Sequence, residues 1–132
     1  MPAGGRKFSL ETKQLTELVT AALDNIKGQN IDVFDVAELT QVTDCMVICT
    51  GTSSTHIKAL ADEVVVKVKE AGCEVQGIEG RLQAEWVLVD LGHVIVHLML
   101  ASTRAMYRLE DLWNFKPGDG ERPGQSMNQD ED

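Results

Sequence analysis

Residues 45–50, Cys-Met-Val-Ile-Cys-Thr, place the strongest constraint on what this chain can fold into. The run is apolar without alternation, and turn residues follow it at once in Thr50-Gly51-Thr52-Ser53-Ser54. A strand of this kind cannot leave either face in water. It is expected at the centre of a sheet, buried on both sides.

The flanking segments supply the cover. Residues 10–27 carry Leu15, Leu18, Val19, Ala22, Leu23 and Ile26 at three- and four-residue steps, one apolar stripe of a helix. Ser9 is the expected N-cap, Glu11 suits the first turn, and Gly28 is expected to end the helix. Residues 55–71 repeat the pattern with Ile57, Leu60, Ala61, Val64, Val65 and Val68, and Gly72 is the expected C-terminal cap. The run Val64 to Val66 lowers helix propensity, but the stripe and its flanks favour helix. Strands are expected at 31–36, weakly at 73–78, and at 85–90 and 94–100. A last helix is expected over 103–113, with Ser102 as N-cap and Met106, Leu109, Leu112 and Trp113 as its stripe.

The resulting order is α-β-β-α-β-β-β-α. It implies an α/β or α+β fold, a single mixed sheet of about five strands flanked by helices. At 132 residues there is room for one such domain. Residues 1–8 read as a flexible leader and 9–113 as the folded domain. Residues 114–132 read as a disordered acidic tail, with Gly and Pro but no apolar periodicity.

The last two strands are joined by Leu91-Gly92, read as a two-residue turn. That register sets Asp90 opposite His93, Leu88 opposite Ile95 and Trp86 opposite His97. Trp86, Leu88, Asp90, Ile95 and His97 then share one face, and Val87, Val89, Val94, Val96 and Leu98 the other. The aliphatic face is core. Unless the register itself differs, the mixed face has two readings. It is either covered by a helix with its polar groups at the edge, or it is a partner-binding surface, since a Trp among aliphatics with a polar rim is hot-spot chemistry.

Residues in catalytic arrangements are few. The Gly51 to Ser54 loop lies between a strand and a helix, where backbone N–H groups could hold an anion. It matches neither a Walker loop nor a dinucleotide fingerprint, and it reads first as a tight turn with a helix N-cap. His56, His93 and His97 have no carboxylate or thiolate at ligand spacing and read as surface or capping residues. Asp32 and Asp35 point to opposite faces of a strand, and Asp44 lacks a partner. Cys45 and Cys49, ~13 Å apart along a strand, read as small buried hydrophobes, and three cysteines in all suit a reducing cytosol. No metal, cofactor or nucleophile–base set is expected.

With 12 basic against 21 acidic residues the net charge is −9, which disfavours a broad surface for DNA or RNA phosphates and favours a basic protein partner. No apolar run is long enough to span a membrane, and the N-terminus does not read as a signal or transit peptide. A cytoplasmic protein is expected.

Three blocks in this order resemble the ribosomal silencing factor family, RsfS, also called the Iojap-like proteins. They are residues 43–54 with His56, residues 85–92 with Val94, Ile95, Val96 and His97, and then Arg104, Tyr107, Leu109, Glu110, Leu112 and Trp113. The resemblance implies a fold similar to the nucleotidyltransferases without their catalytic carboxylates. It implies a non-enzymatic translation repressor that binds the large ribosomal subunit through a basic ribosomal protein, the fourteenth in that subunit's numbering. Such a factor blocks joining of the small subunit in starvation or stationary phase, and is a homodimer when free. It also implies a contact surface of Trp86, Leu88 and Asp90 with Arg104, Tyr107, Leu109 and Glu110, which selects the partner-face reading of the hairpin. Two positions depart from the family pattern. Thr55 stands where relatives often carry Arg, and His93 where they often carry Asp. Two other readings remain: a nucleotidyltransferase-like, phosphate-binding enzyme using the Gly51 to Ser54 loop, and an obligate dimer that buries the Trp86 face against itself.

Overall fold

The segment 45–51 forms the strand that its composition demands, with every residue buried. The computed structural model describes residues 4–109, with side chains from residue 12 onward. In chain order the elements are α1 (Gly4–Asn25), β1 (Gln29–Asp35), β2 (Cys45–Gly51), α2 (Ser54–Glu70), β3 (Gly77–Glu79), β4 (Trp86–Asp90), β5 (Val94–Leu100) and α3 (Ala101–Tyr107). The order of element types is the one expected. Among the described residues the five strands make one sheet, β1-β2-β5-β4-β3. The β2–β5 pair is parallel and the other three pairs are antiparallel, so the sheet is mixed and the fold α+β.

The alternation of side chains along β2 separates two cores. Cys45, Val47 and Cys49 point toward α1 and α2, where they meet Val19, Leu23, Ile57, Leu60 and Val64, all packed with the aliphatic face of β4 and β5. Met46 and Ile48 point the other way, into a smaller core with Val36 and Met99 that Phe34, Trp86 and Leu109 border. Both helical stripes are thus used as expected, while the opposite face of the sheet is covered only in part.

Several boundaries differ. The first helix begins at Gly4, so Ser9 lies inside it and is no N-cap, and residues 4–8 belong to the helix. Its end is set by Lys27, in the left-handed region at φ 64°. Lys27 N–H reaches Asp24 O at 2.9 Å and Gly28 N–H reaches Leu23 O at 2.8 Å, the bond pattern of a Schellman cap. Gly28 is required for another reason: a Cβ there would lie 2.5 Å from Cys49 Sγ. The second helix does place its glycine, Gly72, at the left-handed position (φ 86°), and its N-cap is Ser53. The weak strand expected at 73–78 is reduced to Gly77–Glu79.

The hairpin register also shifts. Asp90 faces Ile95, Leu88 faces His97 and Trp86 faces Met99. The loop is Gly92-His93, closed by Leu91 N–H to Val94 O at 2.9 Å, because Gly92 takes a positive φ of 89° while Leu91 is buried as part of the ladder. Each partner moves by two residues, an even step, so the two faces keep the membership expected of them.

The last helix is shorter than 103–113. It starts at Ala101 with Leu100 at the N-cap and no side-chain cap bond, so Ser102 does not cap it, and it stops at Arg108, whose φ is 48°. Met106, expected in a buried stripe, is 72% exposed, and the buried residue of this helix is Arg104. Glu110, Leu112, Trp113 and the acidic tail lie outside the described residues.

Candidate partner-binding face

Trp86 opens β4 on the sheet face turned away from α1 and α2. Its indole N–H donates to His97 Nδ1 at 3.0 Å. The two rings lie 6.0 Å apart, and on another side Tyr107 of α3 approaches with ring centres 4.8 Å apart at 46°. The indole is half-buried, so part of the ring is available to a partner. An indole N–H only donates, so His97 Nδ1 carries no proton and its ring is neutral. Burial acts in the same direction and pushes the His97 pKa down to about 4. The sequence reading of His97 as a surface or capping residue is therefore corrected: it is 9% exposed, a buried histidine facing the site.

Leu88, Asp90 and Ile95 continue the face toward the hairpin tip, each half-buried. Asp90 Oδ1 accepts from Gly92 N–H at 2.9 Å and holds the turn. Beside Trp86, a groove of about 360 Å³ runs between α3 and the loop after β3, lined by Glu85, Trp86, Met106 and Tyr107 among others. Met106 and Tyr107 are 72% and 55% exposed. An exposed Met and Tyr next to a half-buried Trp make an apolar patch of the composition that interfaces favour.

Of the seven residues expected on the surface, Trp86, Leu88, Asp90 and Tyr107 are brought together. Leu109 is partly buried against the smaller core. Glu110 lies outside the described residues. Arg104 turns inward. Its guanidinium donates to Asn30 O at 2.7 Å, Thr50 Oγ1 at 3.0 Å and Asp32 Oδ2 at 2.5 Å, and it is 8% exposed. It ties α3 to the ends of β1 and β2, and little of it remains for a partner. Sequence reasoning missed Met106 as a surface residue because its spacing fits a buried stripe, and it missed His97 as the acceptor for Trp86. Strand parity already placed His97 on the right face, but only the packing shows the bond.

The Gly51 to Ser54 loop is committed to its own fold. Ser53 Oγ accepts from His56 N–H at 3.1 Å, and Thr52 N–H donates to His56 Nδ1 at 2.9 Å. His56 Nε2–H donates in turn to Ile26 O at 2.7 Å, so this histidine bridges the loop to the end of α1. A Cβ on Gly51 would lie 2.5 Å from Ile57 Cγ1, which accounts for the glycine by close packing. Asp44 precedes β2 and the loop follows it. They stand at opposite ends of a strand about 20 Å long, so Asp44 does not lie beside that loop. Asp44 Oδ2 instead accepts from Thr12 Oγ1 at 3.3 Å and from His93 Nδ1 at 2.9 Å, so His93 links the hairpin tip to the β1–β2 connection. Cys45 and Cys49 are buried as expected. Burial raises both thiol pKa values, that of Cys49 to about 11, which keeps them unreactive. No group of three or more His, Cys, Asp or Glu side chains among the described residues could hold a metal ion.

The model of the family described as RsfS, ribosomal silencing factor during starvation, matches residues 9–132. A ribosomal silencing factor of Haemophilus influenzae is 48% identical over 99 residues, which cover 75% of this chain and 97% of that one. A crystal structure of a protein from Chromobacterium violaceum superposes with a TM-score of 0.78 at 44% identity, covering 81% of this chain and 90% of that chain. A second crystal structure, from Bacillus halodurans, gives 0.70 at 36% identity, covering 76% and 94%.

Proposed function

The chain belongs to the ribosomal silencing factor family, and we propose that it represses translation by docking on the large ribosomal subunit and keeping the small subunit from joining. The observation that carries this reading is the Trp86 face. It is an aromatic and aliphatic patch on the side of the sheet that the long helices leave uncovered, held in shape by the His97 bond and the Tyr107 contact. A factor that acts by occupying an intersubunit surface needs affinity and bulk, and no catalytic step. Within this reading the fold is nucleotidyltransferase-like in outline, without the catalytic carboxylates of those enzymes.

The partner within the subunit is a basic protein, the fourteenth in its numbering. The net charge of −9 favours a basic protein patch and opposes close approach to rRNA phosphates. The free protein is a cytoplasmic homodimer, and the factor acts when nutrients fall. No helix among the described residues is long and apolar enough to cross a membrane, which fits that setting.

The test is co-sedimentation of the full chain with separated large and small subunits. The wild-type protein should travel with the large subunit alone. Trp86→Ala should weaken that binding by about 2 kcal/mol or more, the cost typical of a central interface Trp. Wild-type affinity in the Trp86 variant would remove this face from the contact. Monomers appearing while ribosome binding stays intact would assign the face to self-association instead.

A further inference from the structure

We propose that His97 is a positioning residue for partner binding: its Nδ1 atom fixes the Trp86 ring as one wall of the groove, and so sets the affinity of the face without touching the partner. The inference rests on the partner-face reading above and adds to it a residue that the family contact surface does not include.

The geometry is direct. Leu88 pairs with His97 and Trp86 with Met99, so His97 lies diagonally across the ladder from Trp86 on the same face. The indole N–H reaches Nδ1 at 3.0 Å, and this bond directs the polar edge of the indole into the protein. Tyr107 stands 4.8 Å from the ring centre. The indole is thereby clamped between an inward hydrogen bond and an aromatic neighbour. A half-buried Trp without that bond could turn about its side-chain torsions, and a partner would have to order it on binding. Holding it in advance removes that cost. His97 is 9% exposed beneath the face, so its effect must pass through Trp86. The neutral ring imposed by burial keeps Nδ1 an acceptor across the physiological range. Other side chains could fill the same volume, but few can accept a hydrogen bond at that point.

The experiment uses the full-length protein and purified large subunits, with two readouts: affinity, and the indole N–H proton resonance of Trp86. His97→Phe keeps a ring and deletes the acceptor. It should move the Trp86 resonance and lower affinity about tenfold, the scale of one well-placed hydrogen bond. His97→Gln offers an amide oxygen to the same N–H and should restore both readouts most of the way. Wild-type affinity in a folded His97→Phe variant would overturn the proposal, as would a Gln variant with a native resonance and the weak binding of the Phe variant. If His97→Phe does not fold, replacement of Trp86 by benzothienylalanine decides. That side chain keeps the shape of the indole and removes only its N–H. Weaker binding supports the positioning role, and unchanged binding overturns it. Trp86→Ala separates the two levels of the argument, because a variant with wild-type affinity sinks the partner-face reading itself.

Discussion

Arg104 and His97 are the two residues whose roles change most between sequence and structure. An arginine in a short C-terminal helix reads as a surface cation. Here it is a buried cross-brace with three acceptors, two on β1 and one on β2. Arg104→Met keeps most of the stem and deletes the hydrogen bonds, leaving Asn30 O and Thr50 Oγ1 without that donor. It should cost on the order of 2–4 kcal/mol, read from urea unfolding. A loss below about 0.5 kcal/mol would mean that the brace carries no weight. His97 gives a pH signature. Its pKa is about 4 in the folded protein against 6.5 for the unperturbed group. Between those values the unfolded chain takes up a proton that the folded chain refuses. The stability from burying a neutral ring is therefore complete above pH 6.5 and declines as pH falls toward 4, by about 3 kcal/mol over the window. His97→Phe should lack this component. Equal pH slopes for wild type and variant between pH 6.5 and 4.5 would contradict the buried neutral histidine.

At the scale of elements, the joint between β2 and α2 is built by packing. Gly51 sits where a Cβ would strike Ile57, and Ser53 caps the helix through His56 N–H. Gly51→Ala should destabilise the fold by about 1–3 kcal/mol through overpacking, measured by thermal melting. Little change in melting temperature would reopen a ligand role for the glycine. The helix ends show how far local rules reach. Both α1 and α2 close with the same two hydrogen bonds, yet the left-handed residue is Lys27 in one and Gly72 in the other. The sequence placed the stop at Gly28 because glycine is the usual left-handed residue, whereas that glycine makes room for Cys49. The hairpin teaches the same lesson in reverse. Its faces were legible from parity, but its register depended on which residue before Gly92 joined the ladder, and the burial of Leu91 decided that.

At the scale of the whole molecule, charge is the property that matters for encounter. A chain of net charge −9 approaching a basic protein patch should associate faster at low ionic strength. Raising salt from about 50 to about 300 mM should slow association with large subunits several-fold and change dissociation much less, as stopped-flow mixing would show. Salt-independent association would mean that the contact is not steered by charge. The sheet has its two long helices on one face and the short α3 on part of the other. That asymmetry leaves the Trp86 side open for a partner, and no composition argument could have specified it.

The sequence by itself determined the order of elements, the central burial of β2, the two helical stripes and the division of the hairpin into an aliphatic and a mixed face. Each is a matter of local periodicity, and solvent selects one side of a strand or helix whatever the rest of the chain does. Three short blocks of residues also carried the family resemblance. The tertiary structure alone decided the hairpin register, the inward turn of Arg104, the early end of α3 at Arg108 and the bond between Trp86 and His97. Arg104 meets acceptors more than 50 positions away in the chain. The indole meets an imidazole across a hairpin whose register had itself to be settled first. Such contacts depend on where distant segments arrive, and no window along the sequence contains them.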